Sequence, residues 1–349
     1  MLNYISEHFS THWGPLRLLS SDLLTIVLGT TFCFFACLWL LPRFAPLLPK
    51  DRGRAFAVDA DKSVGKPMGA GIIFVLIFIA ADLIFIRWRF DTVLVLPLIA
   101  ATSFVGLIDD RTGGLSELKL ATLDLMVAVL AAIVLTGTDQ SVAMWLPVIT
   151  GTFYVPWWIS VWVFTATIWI AINATNCSDG VDGLSGSLSI ISLVFLGFLL
   201  YGVLGDRAAA GYLLVPFDEH AGLWAHPAFL MVGCIAGYLW YNAPPSSMLM
   251  GDAGSRPIGF LVGILVCASH NVALIVVVSF VVLVNGTTGL FKVAVKRMFN
   301  VLLFGRVRFP LHDHFRKEVG WSGTQVLFRF ILVHLFVSSL LYAILLKVR

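Results

Sequence analysis

Charge is scarce in this chain. Asp, Glu, Lys and Arg supply 12% of its 349 residues, where a soluble domain carries about 25%. That deficit excludes an ordinary water-surrounded fold. There is no basic aromatic module and no finger-like Cys/His spacing, so nucleic acid is not an expected partner. No internal repeat, low-complexity tract or separate soluble module interrupts the chain, and residues 1–349 read as one membrane domain. Residues 1–20 lack the basic flank, short apolar core and small-residue site of a cleavable leader. Cysteines number five. Cys33, Cys37, Cys234 and Cys267 sit in apolar runs and read as packing residues. Cys177 has no histidine near it in sequence, and a thiol-rich zinc site is not supported.

What is present is apolar: 59% of residues, in long runs. Runs near 22–42, 68–86, 92–108, 118–136, 155–173, 184–204, 226–242, 257–271, 273–293 and 326–346 are candidate membrane spans. Backbone polar groups in lipid must bond within their own segment, so these runs are expected to be helices. The reading is an all-α polytopic membrane protein with about ten transmembrane helices. His270 and Asn271 mark the break between the eighth and ninth runs. The outer segment 146–158 alternates around a Gly-Thr pair and reads as a short interfacial hairpin.

Alternation assigns the connections to two sides. Of 23 Lys and Arg, 17 fall with the connections 43–67, 109–117, 174–183, 243–256 and 294–325, and 6 fall with the opposite side. The positive-inside rule then places the first set in the cytoplasm and both termini outside.

All the notable acidic motifs fall on that cytoplasmic side: GLIDDRTGG at 106–114, NATNCSDGVDG at 173–183 and MGDAGS at 250–255. Carboxylates beside a bilayer are costly without a partner or a task. Asp109 and Asp110 end an apolar run and point different ways. One can face a cleft while the other binds a neighbour; the plainer reading is a helix-ending cap. Asn173, Asn176, Asp179 and Asp182 recur every three residues. That spacing gives one polar helix face, whereas Gly180 and Gly183 argue for a tight loop. Either geometry presents amides able to read a nucleobase edge. Asp252 lies between Gly251 and Gly254, where backbone can approach a ligand, and Ser255 can cap a helix. The carboxylates on three connections point to one convergent metal site. Hard oxygen donors beside a diphosphate favour Mg2+. Lys62 and Lys66 in the first connection are candidates for phosphate contact. His312 and His314, in the basic last connection, are candidates for phosphate or sugar contact. His220, His226 and His334 read as interfacial or packed.

These motifs resemble the polyprenyl-phosphate N-acetylhexosamine-1-phosphate transferases, which carry a DD pair, an NxxNxxDGxDGL segment and an MGDxGS segment. Here they stand as Asp109-Asp110, Asn173 to Leu184 and Met250 to Ser255. Within that superfamily the chain is most similar to the phospho-N-acetylmuramoyl-pentapeptide transferases. Their triple-histidine segment followed by Gly-Trp is approached by PLHDHFRKEVGW at 310–321. The resemblance runs from about residue 43 to the last span.

The resemblance implies a bacterial inner-membrane homodimer with its catalytic cleft facing the cytoplasm. It implies transfer of phospho-MurNAc-pentapeptide from UDP to undecaprenyl phosphate, with release of UMP and formation of lipid I. It carries the magnesium aspartate onto Asp252 and the catalytic pair onto Asp109 and Asp110. It carries the uridine region onto Asn176, Asp179 and Asp182, and the outer histidines onto His312 and His314. Either Lys62 or Lys66 matches a basic residue near the nucleotide, and Lys119 matches a lysine after the GLS segment. The pattern departs at Gly113, where the family has a lysine, and at Asp313, where it has the middle histidine. Two other readings stand beside it: transfer of another N-acetylhexosamine-1-phosphate, such as GlcNAc-1-phosphate, or a non-catalytic polyprenyl-lipid-binding scaffold or transporter.

Overall fold

Helices follow the apolar runs. The structure is a computed structural model that describes residues 8, 14–53, 63–138, 140–147, 149, 151–301 and 304–347. Lys62 lies outside these described residues. A short 3-10 helix, Gly14–Ser20, leads into α1, Asp22–Phe44. Then come α2 (Gly71–Phe85), α3 (Phe90–Thr112), α4 (Glu117–Thr136), α5 (Trp157–Cys177) and α6 (Leu184–Leu199). They are followed by α7 (Arg207–Leu213), α8 (Ala221–Asn242) and α9 (Asp252–Ala268). Seven helices among the described residues are long and apolar enough to cross a membrane, and α2 is a shorter apolar one.

The ninth run is not one smooth helix. It divides into α10 (Leu274–Val278), α11 (Phe280–Val282), a π turn at Leu283–Thr287 and α12 (Thr288–Phe299). Ser279, at φ −123°, separates the first two pieces. The preceding break falls at 269–273, where Asn271 accepts the Ala273 N–H at 3.1 Å. The last connection contains α13 (Leu311–Lys317), and α14 (Gly323–Lys347) ends the described chain.

The described residues include a two-stranded β hairpin, and its position corrects the sequence reading. β1 (Ser141–Met144) pairs antiparallel with β2 (Phe153–Pro156), Ser141 opposite Pro156 and Met144 opposite Phe153. The first strand therefore precedes 146–158. Trp145 explains why. Its buried indole donates to Ser269 O at 2.8 Å, and its backbone N–H donates to His270 O at 3.1 Å. That anchor ties the strand's end to the end of α9.

Helix α9 is the centre of the molecule. All of Asp252–Ala268 is buried, and the helix packs against α5, α3, α2, α6, α8 and α4. Missing side chains allow the approach. A Cβ at Gly106 would sit 2.3 Å from the Asp252 carbonyl, and one at Gly71 would sit 2.0 Å from Gly254 N. In lipid, where apolar burial gives helices little reason to associate, such close backbone packing supplies the attraction. Outward-facing Phe104, Trp162, Phe198, Trp240 and Phe336 are exposed, as a lipid-facing surface requires.

Candidate active site

Two helix ends meet at one point. Helix α3 stops at Gly113, whose φ of 83° is left-handed and whose N–H returns to Asp109 O. The stop leaves Asp109 and Asp110 in the last turn, both buried. Helix α9 starts just after Gly251, at φ 64°. A Cβ there would lie 2.2 Å from an Asp110 carboxylate oxygen, so glycine permits both the turn and the contact.

The carboxylates divide their bonds. Asp110 accepts the Asp252 N–H at 3.0 Å on one oxygen and the Ala253 N–H at 3.1 Å on the other. It thus caps α9 from a different helix, where the helix dipole favours negative charge. Asp109 accepts the Leu115 N–H, which folds the Gly113-Gly114 turn back over α3. Asp252 accepts the Arg256 Nε–H at 2.9 Å, one turn along α9. One oxygen from each of Asp109, Asp110 and Asp252 lies within 4.8 Å of the others. Three buried carboxylates this close repel unless protons or a cation intervene. An all-oxygen donor set of this kind fits a hard divalent ion such as Mg2+.

A second polar cluster adjoins the first. The 178–183 segment is a tight loop, not a continued helix face. Asp182 accepts the Ser246 N–H at 3.0 Å, and Ser246 Oγ accepts from Lys66 Nζ at 3.0 Å. Asn242 accepts the Gly183 N–H at 2.8 Å and donates to Met248 O at 2.9 Å. Backbone bonds from Ala70 to Leu249 O and from Gly71 to Met250 O align the first connection with the MGDAGS turn. Asn176 Nδ2 donates to Ser255 Oγ at 3.0 Å and joins the two clusters. Asp179 lies half-buried in the same loop. Asn173 instead bonds Trp169 O of its own helix at 2.9 Å.

The histidines differ from each other. His312 is buried, and its backbone N–H donates to Asn285 Oδ1 at 2.9 Å, while Nδ1 meets the same side chain. Its imidazole lies against the loop, because a Cβ at Gly180 would fall 2.2 Å from Nε2. Burial, with the nearby Arg316 charge, pushes the His312 pKa down to about 3. It is therefore a neutral hydrogen-bonding group at neutral pH. His314 accepts the Arg308 N–H at 3.4 Å. Asp313, half-buried, pairs with Arg308 at 3.8 Å, and burial raises its pKa against the pull of the surrounding cations. Lys119 is exposed on the first turn of α4.

Sequence reasoning missed Arg256, Asp124 and Asn285. The signal was there: Asp124 and Asn285 are polar residues within apolar runs, and Arg256 is a charge at the edge of one. Arg256 also stands four residues from Asp252, the spacing of an ion pair on one helix.

Residues 92–270 match the model for glycosyl transferase family 4. A phospho-N-acetylmuramoyl-pentapeptide-transferase of Treponema pallidum (strain Nichols) is 41% identical, across 100% of this chain and 97% of that protein. The protein of that name from Nautilia profundicola is 27% identical over the full length of both. That from Helicobacter acinonychis is 28% identical over 92% of this chain and 94% of its own. On the full-length match and the three acidic motifs, the chain belongs to the phospho-N-acetylmuramoyl-pentapeptide transferases of glycosyl transferase family 4.

Proposed function

We propose that this protein transfers phospho-MurNAc-pentapeptide from UDP to undecaprenyl phosphate, releasing UMP and forming lipid I. The observation that carries the reading is the convergence of Asp109, Asp110 and Asp252 from two helices onto one buried point. The names of the full-length relatives favour this donor over other N-acetylhexosamines and over a non-catalytic scaffold.

In this mechanism an oxygen of the lipid phosphate attacks the β-phosphorus of the UDP-sugar. The bond from that phosphorus to the bridging oxygen breaks, and UMP leaves with that oxygen. Asp252 and Asp109 would hold Mg2+, which would supply positive charge to offset that on the diphosphate and the departing UMP. Asp110 orients the lipid phosphate or accepts its proton. Its double bond to the α9 N-terminus favours orientation. Lipid phosphate is largely ionised near neutral pH, so little proton removal is needed. Asn176, Asp179 and Asp182 form the uridine region, and Asn173 is a further candidate for substrate contact. Lys66, Lys62 and Lys119 are the candidate phosphate contacts, and His312 and His314 flank the sugar diphosphate. Of the lysines, Lys66 is supported by its bond to Ser246, beside Asp182.

The setting is the bacterial inner membrane, with ten crossings, both termini periplasmic and the acidic centre facing the cytoplasm. The single domain works as a homodimer. The test is UMP release by purified protein in lipid with undecaprenyl phosphate, UDP-MurNAc-pentapeptide and Mg2+. Release that needs both the lipid and the metal supports the reading. A folded sample that releases UMP only from another UDP-sugar replaces the donor.

A further inference from the structure

Arg256 is a buried cation inside an acidic centre. It is 4% exposed. Its Nε–H donates to Asp252 at 2.9 Å, and its Nη1–H donates to Asp124, on α4, in a short bond. Asp124 is 2% exposed. The result is a linear relay across the protein interior: Asp124, Arg256, Asp252. The last member also belongs to the three-carboxylate cluster. A bracing ion pair between α4 and α9 would not need to touch that cluster. This one does, and it places a fixed positive charge where a divalent cation would have to approach.

We propose that Asp124 and Arg256 are positioning residues that set the orientation of Asp252 and the cation affinity of the acidic centre. The inference rests on the metal-dependent transferase reading above. Arg256 fixes the Asp252 carboxylate through a charge-assisted bond and lowers the centre's attraction for cations. Asp124 offsets that repulsion by neutralising Arg256 from the far side. The two residues therefore act in opposite directions on cation binding. A purely structural pair acts in neither.

The relay gives opposite shifts in a binding experiment. Full-length protein in nanodiscs, without nucleotide, is titrated with Mn2+ and followed by electron paramagnetic resonance. Asp124→Asn keeps the shape and leaves Arg256 paired with Asp252, so its charge is felt more strongly there. The half-saturating Mn2+ concentration is expected to rise roughly three- to tenfold. The double variant Asp124→Asn with Arg256→Met removes the buried cation together with its outer counter-ion, which leaves the acidic centre more attractive to cations, and the concentration is expected to fall by a similar factor. In UMP release the double variant loses kcat with little change in KM for the UDP-sugar, because Asp252 is no longer held. Arg256→Lys, which keeps the charge, retains most of the wild-type Mn2+ affinity. Wild-type Mn2+ affinity in both the single and the double variant, with only a lower melting temperature, overturns the inference. So does a wild-type protein that binds no Mn2+. If the wild type binds Mn2+ but releases no UMP, the transferase reading fails while the opposite shifts still support the relay.

Discussion

At the scale of the residue, carboxylate bonding separates roles that sequence leaves equal. Asp110 is tied at both oxygens to backbone N–H groups, while Asp252 is held by a side chain. Asp252→Asn keeps that side chain's shape and removes its negative charge. It is expected to lower UMP release by about 10²–10³-fold, the scale of losing one charge-stabilising group, with the thermal transition little changed. Strong residual turnover in a folded sample would take Asp252 out of the metal-holding role. His312 makes a pH prediction. Its folded pKa of about 3 lies below the unfolded value of about 6.5, so the unfolded chain takes up the proton first. The stability this contributes is full above pH 6.5 and is lost as pH falls toward 3, by up to about 1.4 kcal/mol per pH unit. His312→Gln should flatten that part of the stability profile, measured by thermal unfolding from pH 4 to 7. An unchanged slope would mean that His312 titrates normally. The acidic motifs were legible because a charge in so apolar a chain stands out. Arg256 and Asp124 carry the same signal, but nothing in the spacing of 124 and 256 says that their helices touch. That contact belongs to the packing of α4 on α9.

At the scale of the element, the site depends on how closely two helices approach. Gly106 on α3 lies against the backbone of Asp252, with no room for a Cβ. Gly106→Val must separate α3 from α9 and carry Asp109 and Asp110 away from Asp252. A loss of about 1–3 kcal/mol in stability is expected for such overpacking, with a larger proportional loss of turnover. Gly202→Ala is the control, since a Cβ there meets nothing within 4 Å. Equal melting temperatures for the two variants would show that the approach is not tight. Helix positions were largely readable from apolar run length, because lipid forces each run to satisfy its own backbone. The π turn at Leu283–Thr287 was not. It widens the helix at Asn285, a buried amide that holds His312 from another segment, so its cause is tertiary. Helix α13 escaped notice because it is seven residues long, mostly polar, and leans on Asn285 and the 178–183 loop. The β1–β2 hairpin was displaced for a similar reason: the Trp145 anchor on α9 fixes its first strand.

At the scale of the whole molecule, the distribution of basic residues makes a claim that geometry alone does not. The acidic centre and the outer hairpin lie at opposite ends of α9, at Asp252 and at Ser269–His270. If 17 of 23 Lys and Arg mark the cytoplasmic side, the acidic end faces the cytoplasm and the hairpin end faces outward. Two exposed residues report on the two ends. The Glu117 side chain is 90% exposed next to the α3–α4 turn, and that of Glu219 is 73% exposed before α8. The native cysteines 33, 37, 234 and 267 are buried, so replacing Cys177 with Ser leaves a quiet background for labelling. A membrane-impermeant maleimide applied to intact spheroplasts should then label Glu219→Cys directly. Glu117→Cys should label only after the membrane is permeabilised. The reverse pattern would turn the protein over and place the acidic centre on the side where no UDP-sugar is made. Labelling of both in intact spheroplasts would break the alternation itself, because these two positions are separated by α4, α5 and α6, an odd number of crossings. The experiment therefore tests the parity of the crossings as well as their direction, and it does so without relying on catalysis.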